Sequence, residues 1–128
     1  MKKLLFLLFS NKLISFGQTA KEYFQSGYDK AENGDYYGAI ADFTKAIELK
    51  PNNASTYYNR GLAKAKLEDY KAAIADYTKA IEFDPNDAMA YNYRAIAKEL
   101  SGIDGCADAR KAKELGYNAD KLIAMVCN

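Results

Sequence analysis

Three aspartates recur at matching places, Asp42, Asp76 and Asp108, and the chain's two cysteines, Cys106 and Cys127, both stand near its end. Carboxylates can divide general acid and base work only when both reach the same reacting atoms. A spacing near 34 residues puts one of these on each successive unit of the chain, too far apart to pair, so they read as solvated or structural groups. The chain has no histidine. That removes the commonest proton shuttle near neutral pH, the commonest metal ligand and the usual activator of a cysteine nucleophile. "DPND" at 84–87 lacks the glycine and closing glutamate of a calcium loop and reads as a turn with Asp87 as a helix cap. "GLAKAK" at 61–66 has no second glycine and falls within a helical pattern, so it is not a phosphate-binding loop. "NAS" at 53–55 fits a glycosylation acceptor, but Asn53 also stands where a helix needs its cap, and the cap reading is preferred. No catalytic residue, metal or cofactor is expected, and the chain does not read as an enzyme.

Composition agrees. In 128 residues, Lys and Arg number 18 against 17 Asp and Glu, a net charge of +1, which offers no basic excess for nucleic acid. Apolar residues make up 49%, enough for one domain with a continuous core. The opening "MKKLLFLLFSNKLISFG" differs from the rest. Lys2 and Lys3 precede apolar runs at 4–9 and 13–16, and Ser15 and Gly17 are small residues two apart, the outline of a signal peptide over 1–17 whose removal would leave Gln18 first. The polar interruption at Ser10, Asn11 and Lys12 leaves the alternative of an amphipathic helix packed on the domain. Neither run approaches the roughly 20 residues a bilayer needs, so no stable membrane span is expected. Localisation accordingly reads as periplasmic or secreted, with a cytoplasmic protein as the alternative.

The elements that position these residues come from a repeat. "AIADFTKAIELKPN" at 39–52 returns as "AIADYTKAIEFDPN" at 73–86. Aligning 20–53, 54–87 and 88–117 puts Tyr23, Tyr57 and Tyr91 in register, followed by Gly27, Gly61 and Ala95. Later come Tyr36 and Tyr70, Ala39 and Ala73, Phe43 and Tyr77, Ala46 and Ala80, then Pro51 and Pro85. Tyr70, Ala73, Ile74, Tyr77, Ala80 and Ile81 form one helical stripe, with no strand-like alternation. Asp35 and Asp69 are placed to cap the second helix of each unit, and the prolines to stop it. The small residues mark where paired helices cross closely. In the third copy "GCADARKAKEL" at 105–115 aligns only if two residues are lost, which predicts a tighter turn around Gly102 and Asp104. A further apolar face at Leu122, Ile123, Val126 and Cys127 predicts a capping helix over about 119–127, with Asn118 as its cap. Cys106 and Cys127 then lie on packed helices. In an exported protein they would form a disulfide; otherwise Cys106 is a small buried hydrophobe in the place of Ile40 and Ile74.

This pattern resembles the tetratricopeptide repeat: length 34, an aromatic at the fourth place, a small residue at the eighth, Ala-x-x-x-Phe/Tyr-x-x-Ala, and a late proline. With its leader the chain is similar to small exported bacterial members. The resemblance implies an all-α fold, a right-handed α-solenoid of three helix-turn-helix units within 18–128 plus the C-terminal capping helix. Family copies usually carry Leu at the seventh place and Tyr at the eleventh, where this chain has Ser26, Arg60 and Arg94, then Lys30, Lys64 and Lys98. These stems are expected to cover apolar surface while their heads reach water. The resemblance also implies a non-catalytic scaffold whose concave groove, lined by the first helices, takes a peptide or protein segment. The groove places fall on Phe24, Gln25 and Tyr28, on Tyr58, Asn59 and Leu62, and on Asn92, Tyr93 and Ile96, although any of the rings could instead pack between helices. The family's chaperone carboxylate clamp is matched only at Asn59, its other places holding Phe24, Tyr28, Met89 and Tyr93, which argues against chaperone tails. A structural, self-associating module is the alternative function. The partner's identity is not written in the sequence.

Overall fold

The computed structural model describes residues 17–128. The leader reading over 1–17 therefore lies, but for Gly17, outside the described residues. Seven helices and no strand occupy the described residues: α1 (Ala20–Glu32), α2 (Tyr36–Leu49), α3 (Ala54–Lys66), α4 (Tyr70–Phe83), α5 (Ala88–Leu100), α6 (Cys106–Glu114) and α7 (Asp120–Val126). They form three helix-turn-helix pairs with a short helix behind them. Each helix packs on the next, and α1 meets α3 and α3 meets α5, so the first helices line up along one side of the array. Among the described residues no helix is long and apolar enough to cross a membrane.

The helix ends follow their sequence signals. Asp35 Oδ1 accepts the Gly38 N–H at 2.9 Å, Asp69 Oδ1 that of Ala72 at 3.4 Å, and Asp87 Oδ1 those of Met89 and Ala90 at 3.0 and 3.2 Å. Asn53 caps α3 through Ser55 N–H at 3.0 Å. The α2 and α4 helices end one residue before Lys50 and Asp84 hand the chain, in extended geometry, to Pro51 and Pro85. Thr19 and Glu22 form a reciprocal capping box at the start of α1.

Two expectations need correction. The turn of the third pair is not tighter: Ser101–Gly105 is five residues long, against three at Asn33–Asp35, and α6 has only nine residues against fourteen in α4. The missing residues come out of the first turn of the helix. The exposed backbone there is held instead by Glu99 Oε1, which accepts Gly105 N–H at 2.7 Å, and by Asp104 Oδ1, which accepts Cys106 N–H at 2.8 Å. At the last helix Asn118 is not the cap. Ala119 occupies the cap place with no side-chain bond, and it is buried, 2% exposed, where a capping side chain would have no room. The structure joins Cys106 to Cys127, with Cα atoms 4.9 Å apart, tying the end of α7 to the first residue of α6.

Each helix pair crosses at one glycine and one alanine. Gly27 lies against Ala39, and Gly61 belongs to the pair that buries Ala73; in the third pair the order reverses, with Gly105 against the Ala95 backbone. The nearby ring follows the same trade. A Cβ on Gly27 would stand 2.9 Å from the Phe43 ring and one on Gly61 2.8 Å from Tyr77 Cε1, and both rings are fully buried. Where the first helix carries Ala95 instead, the ring is replaced by Ala109, also fully buried. Glycine and ring are thus one packing unit, because a close-packed interior has no slack for an added methyl group.

The arginines and lysines at the seventh and eleventh places of the first helices are turned to carboxylates, and only Lys30 keeps as much as 43% of its side chain exposed. Arg60 donates through Nε and Nη2 to the two Asp76 oxygens, both at 2.8 Å, and Lys64 Nζ adds a third contact at 2.9 Å. Arg94 and Lys98 hold Asp108 in the same way at 2.7, 2.7 and 2.8 Å. In the first pair Ser26 Oγ and Lys30 Nζ hold Asp42 at 2.6 and 2.8 Å. Asp76 and Asp108 are only 3% and 6% exposed, so these carboxylates are structural and not solvated. The remaining guanidinium arm crosses to the preceding pair: Arg60 Nη1 donates to Thr44 Oγ1 at 3.1 Å, and Arg94 Nη1 to Thr78 Oγ1 at 3.2 Å. The expectation of solvated heads fails at Arg60, Lys64, Arg94 and Lys98, because a buried carboxylate is satisfied better by a bidentate guanidinium and an ammonium than by water, whereas Lys30 stays partly exposed.

Burial alone would raise the pKa of Asp108, but the hydrogen bonds and charges of Arg94 and Lys98 outweigh it and hold the group below the ordinary carboxylate value. Burial opposes and Lys30 and Ser26 prevail in the same way at Asp42. A carboxylate with a lowered folded-state pKa lends stability that is fully present above its unfolded value, about 3.9, and is lost as pH falls through the folded value. The urea midpoint should therefore stay level from about pH 7 to about pH 5 and then drop below about pH 4. Asp108→Asn should cost about 2 to 3 kcal/mol at neutral pH, since Arg94 and Lys98 lose their counter-charge, and the acid-side drop should become shallower. An unchanged pH profile in that variant would contradict the assignment. For the crossing unit, Gly61→Ala should cost about 1 to 3 kcal/mol in urea unfolding. Combined with Tyr77→Leu it should cost clearly less than the sum of the two single changes, since each accommodates the other; strict additivity would separate glycine from ring.

Candidate functional site

The first helices α1, α3 and α5 present two adjoining depressions. One, of about 360 Å³, has Tyr28 and Glu32 from α1, Asn59 and Lys66 from α3, Tyr36 at the start of α2, and Tyr93 from α5 in its wall. The other, of about 210 Å³ and largely apolar, is walled by Leu62 of α3, Ile96 and Leu100 of α5, Tyr70 at the start of α4, and Tyr77 and Tyr93. Leu62, Lys66 and Tyr93 border both. Together they make a continuous furrow across three helices.

The nine groove places divide in the structure. Tyr28, Asn59, Leu62, Tyr93 and Ile96 border the furrow. Gln25 is exposed but its amide donates to Asp29 Oδ1 at 2.9 Å. Phe24 packs on Phe43, ring centroids 5.7 Å apart, and borders a separate hollow with Lys21, Lys50 and Asn53. Tyr58 lies against Tyr77 and Tyr93, both at 6.0 Å, within the core of the second and third pairs. Asn92 is 6% exposed and borders neither depression. Asn59 commits one amide N–H to the Ser55 carbonyl at 2.8 Å, which leaves its second N–H and its side-chain oxygen for other partners.

Among the furrow residues that the groove places do not include are Glu32, Lys66 and Leu100 at the ends of α1, α3 and α5, Tyr36 and Tyr70 at the starts of α2 and α4, and Tyr77 beneath them. The first three stand four residues after Tyr28, Leu62 and Ile96, one helical turn along the same face. The signal was therefore available in the spacing. Tyr77 is different, because its place in the sequence is that of Phe43, a pure packing position. It is wholly buried, and its hydroxyl finds no partner among the described residues. Burial pushes the Tyr58 and Tyr77 phenols well up from their ordinary value, so both stay neutral and keep their protons for donation. No group of three or more metal-ligating side chains comes together among the described residues. What the furrow offers is contact area from rings and branched aliphatics, amide and phenol hydrogen bonds, and one charge of each sign.

Comparison with known proteins follows the same line. Tetratricopeptide repeat profiles match residues 54–87 and 76–112, and a TPR repeat profile matches 21–68, so that together they run from 21 to 112. No match was found among curated proteins. Among solved structures, the first TPR domain of Spaghetti (RPAP3), bound to the HSP90 peptide SRMEEVD, superposes with a TM-score of 0.82 at 23% identity, covering 86% of this chain and 91% of that one. The TPR domain of Arabidopsis OM64 gives 0.77 at 28% identity, over 81% and 89% of the two chains. The TPR2B domain of yeast Sti1, in its complex with pHsp70, gives 0.73 at 29%, over 84% and 91%. A 34-residue period, paired helices crossing at small residues, three matching repeat profiles and superposition on these domains agree: the chain belongs to the tetratricopeptide repeat family.

Proposed function

We propose that the protein is a non-catalytic scaffold that holds a peptide or protein segment in the furrow across α1, α3 and α5. The observation that carries this reading is the furrow itself: a continuous, partly apolar recess edged by Tyr28, Asn59, Leu62, Tyr93 and Ile96. Tyrosines supply large contact area at small entropic cost, and the free Asn59 oxygen can accept from a peptide backbone. The similar Sti1 domain binds pHsp70, which supports a peptide ligand for this chain as a class. The family's carboxylate clamp is matched here only at Asn59, its other places holding Phe24, Tyr28, Met89 and Tyr93, so the proposal commits to a peptide as a class, the pHsp70 bound by the Sti1 domain being one example of that class. Met89 is exposed and Phe24 packs on Phe43; neither can grip a carboxylate.

The export reading joins this proposal. A leader over 1–17 and the pairing of Cys106 with Cys127 fit one oxidising compartment, periplasmic or extracellular. Mass spectrometry of the native protein should find Gln18 at its N-terminus and no thiol open to alkylation. An intact Met1–Gly17 segment with two reactive thiols would return the protein to the cytoplasm.

The groove is tested by side-chain NMR of labelled protein. A partner should be isolated from the source cell, its binding segment mapped with synthetic fragments, and that segment titrated into the protein. Leu62 and Ile96 methyl signals should shift, and Tyr28→Ala with Leu62→Ser should weaken binding by roughly a hundredfold, the loss of two buried contacts. Shifts confined to Ile47, Leu49 and Ile81, on the second helices, would overturn the furrow as the site.

A further inference from the structure

Glu32, Lys66 and Leu100 occupy the same place in three successive repeats and are the last residues of α1, α3 and α5. All three are exposed. Glu32 and Lys66 share the larger depression, and Lys66 and Leu100 share the smaller one. Glu32 and Lys66 are the only charged side chains bordering either, and neither belongs to any of the ion pairs formed among the described residues. Five of the other six cations of these helices are already engaged, Lys30 by Asp42, Arg60 and Lys64 by Asp76, Arg94 and Lys98 by Asp108, and the sixth, Lys21, borders a separate hollow at the start of α1. The furrow is therefore crossed by a row that reads acid, base, apolar.

We infer that the ligand is an extended peptide carrying the complementary row: a basic side chain over Glu32, an acidic one over Lys66, and an aliphatic or aromatic one in the apolar depression beside Ile96 and Leu100. This rests on the peptide-scaffold reading above and supplies the ligand's chemistry. Packed helices lie about 8 to 10 Å apart and an extended chain advances about 3.3 Å per residue, so successive contacts fall about three residues apart. The ligand pattern is basic-x-x-acidic-x-x-apolar, read from α1 toward α5. The C-terminal dipole of α1 adds negative potential at Glu32, which a ligand cation relieves, whereas Lys66 at the end of α3 is already favoured by its own helix and is poised for an anion.

The test uses the full chain and short synthetic peptides read by fluorescence anisotropy: Lys-x-x-Glu-x-x-Leu with small neutral spacers, its charge-exchanged form Glu-x-x-Lys-x-x-Leu, and both in reversed order. One order of the first pattern should bind roughly tenfold more tightly than its charge-exchanged form at low salt, two attractive contacts having become repulsive. The gap should narrow as salt rises. Glu32→Lys combined with Lys66→Glu should invert the preference, and because both residues are exposed, circular dichroism should be unchanged. Equal binding of the exchanged peptides by the native chain would overturn the charge row while leaving a groove that binds peptides. Failure of all four peptides, alongside Leu62 and Ile96 shifts with the mapped partner segment, would likewise overturn the row and not the scaffold reading. Failure of the partner segment to shift those residues would remove both.

Discussion

A carboxylate on the second helix of each repeat, buried at Asp76 and Asp108 and partly buried at Asp42, is held by side chains from the first helix, and the array's geometry depends on that contact. Taking a charge out of water is tolerable only when its partners satisfy it closely, and Asp76 and Asp108 each receive three contacts at 2.7 to 2.9 Å. Such a bond allows little freedom in how two helices rotate about each other, because a bidentate guanidinium is planar and directional. Apolar contacts alone would accept several rotations of similar energy. The same guanidinium reaches Thr44 or Thr78 on the preceding second helix, so one side chain fixes both the geometry within a pair and the stacking of that pair on its neighbour. The ladder changes at its edges. Ser26 stands where the later repeats have arginine, and no earlier helix among the described residues offers a threonine; Arg110, exposed on α6, stands where Thr44 and Thr78 would otherwise recur.

The second constraint is steric, and it works with the first. A glycine and an alanine at each crossing let the backbones approach closely enough for an arginine on one helix to reach an aspartate on the other. The buried ring then fills what the missing Cβ leaves. Ala95 and Ala109 in the third pair show that the unit can be rebuilt with the volumes redistributed, at the price of a shorter second helix. That helix has less to pack against. Joining Cys106 to Cys127 compensates by tying α7, which buries none of its own residues, across the start of α6.

Much of this was legible before any coordinates. Period, helix pairing, caps at Asp35, Asp69, Asn53 and Asp87, and the stop at each proline are written in local residue types, and local signals survive the loss of tertiary context. The ion ladder was also present, as a separation: Ser26 to Asp42 and Arg60 to Asp76 are 16 residues apart, while Arg94 to Asp108 is 14, the two-residue deletion showing directly. Taken singly, as departures from a family pattern, the cations do not reveal it; it shows only when each is set against the acid one helix away. The groove was only partly readable for a different reason. On a first helix the fifth place faces both the furrow and the next pair, and which surface a ring takes depends on its neighbours. Tyr58 is drawn into the cluster with Tyr77 and Tyr93, and Asn92, beside Tyr93 in sequence, is buried where the earlier repeats have rings.

The ladder also decides what the furrow can recognise. Five cations on α1, α3 and α5 would by themselves make the concave side strongly basic and attractive to any acidic chain. Asp42, Asp76 and Asp108 neutralise them within the helix pairs, over distances short enough that salt screens them little. What remains to face a ligand are the residues outside the ladder, one acid at Glu32 and one base at Lys66, about a helix spacing apart, which is close to a Debye length at physiological salt. Each can then select its own counter-charge without the other cancelling it. The scaffold's charges are consumed in holding the helices, and so the furrow's charges are left to specify a sequence of contacts instead of a net field.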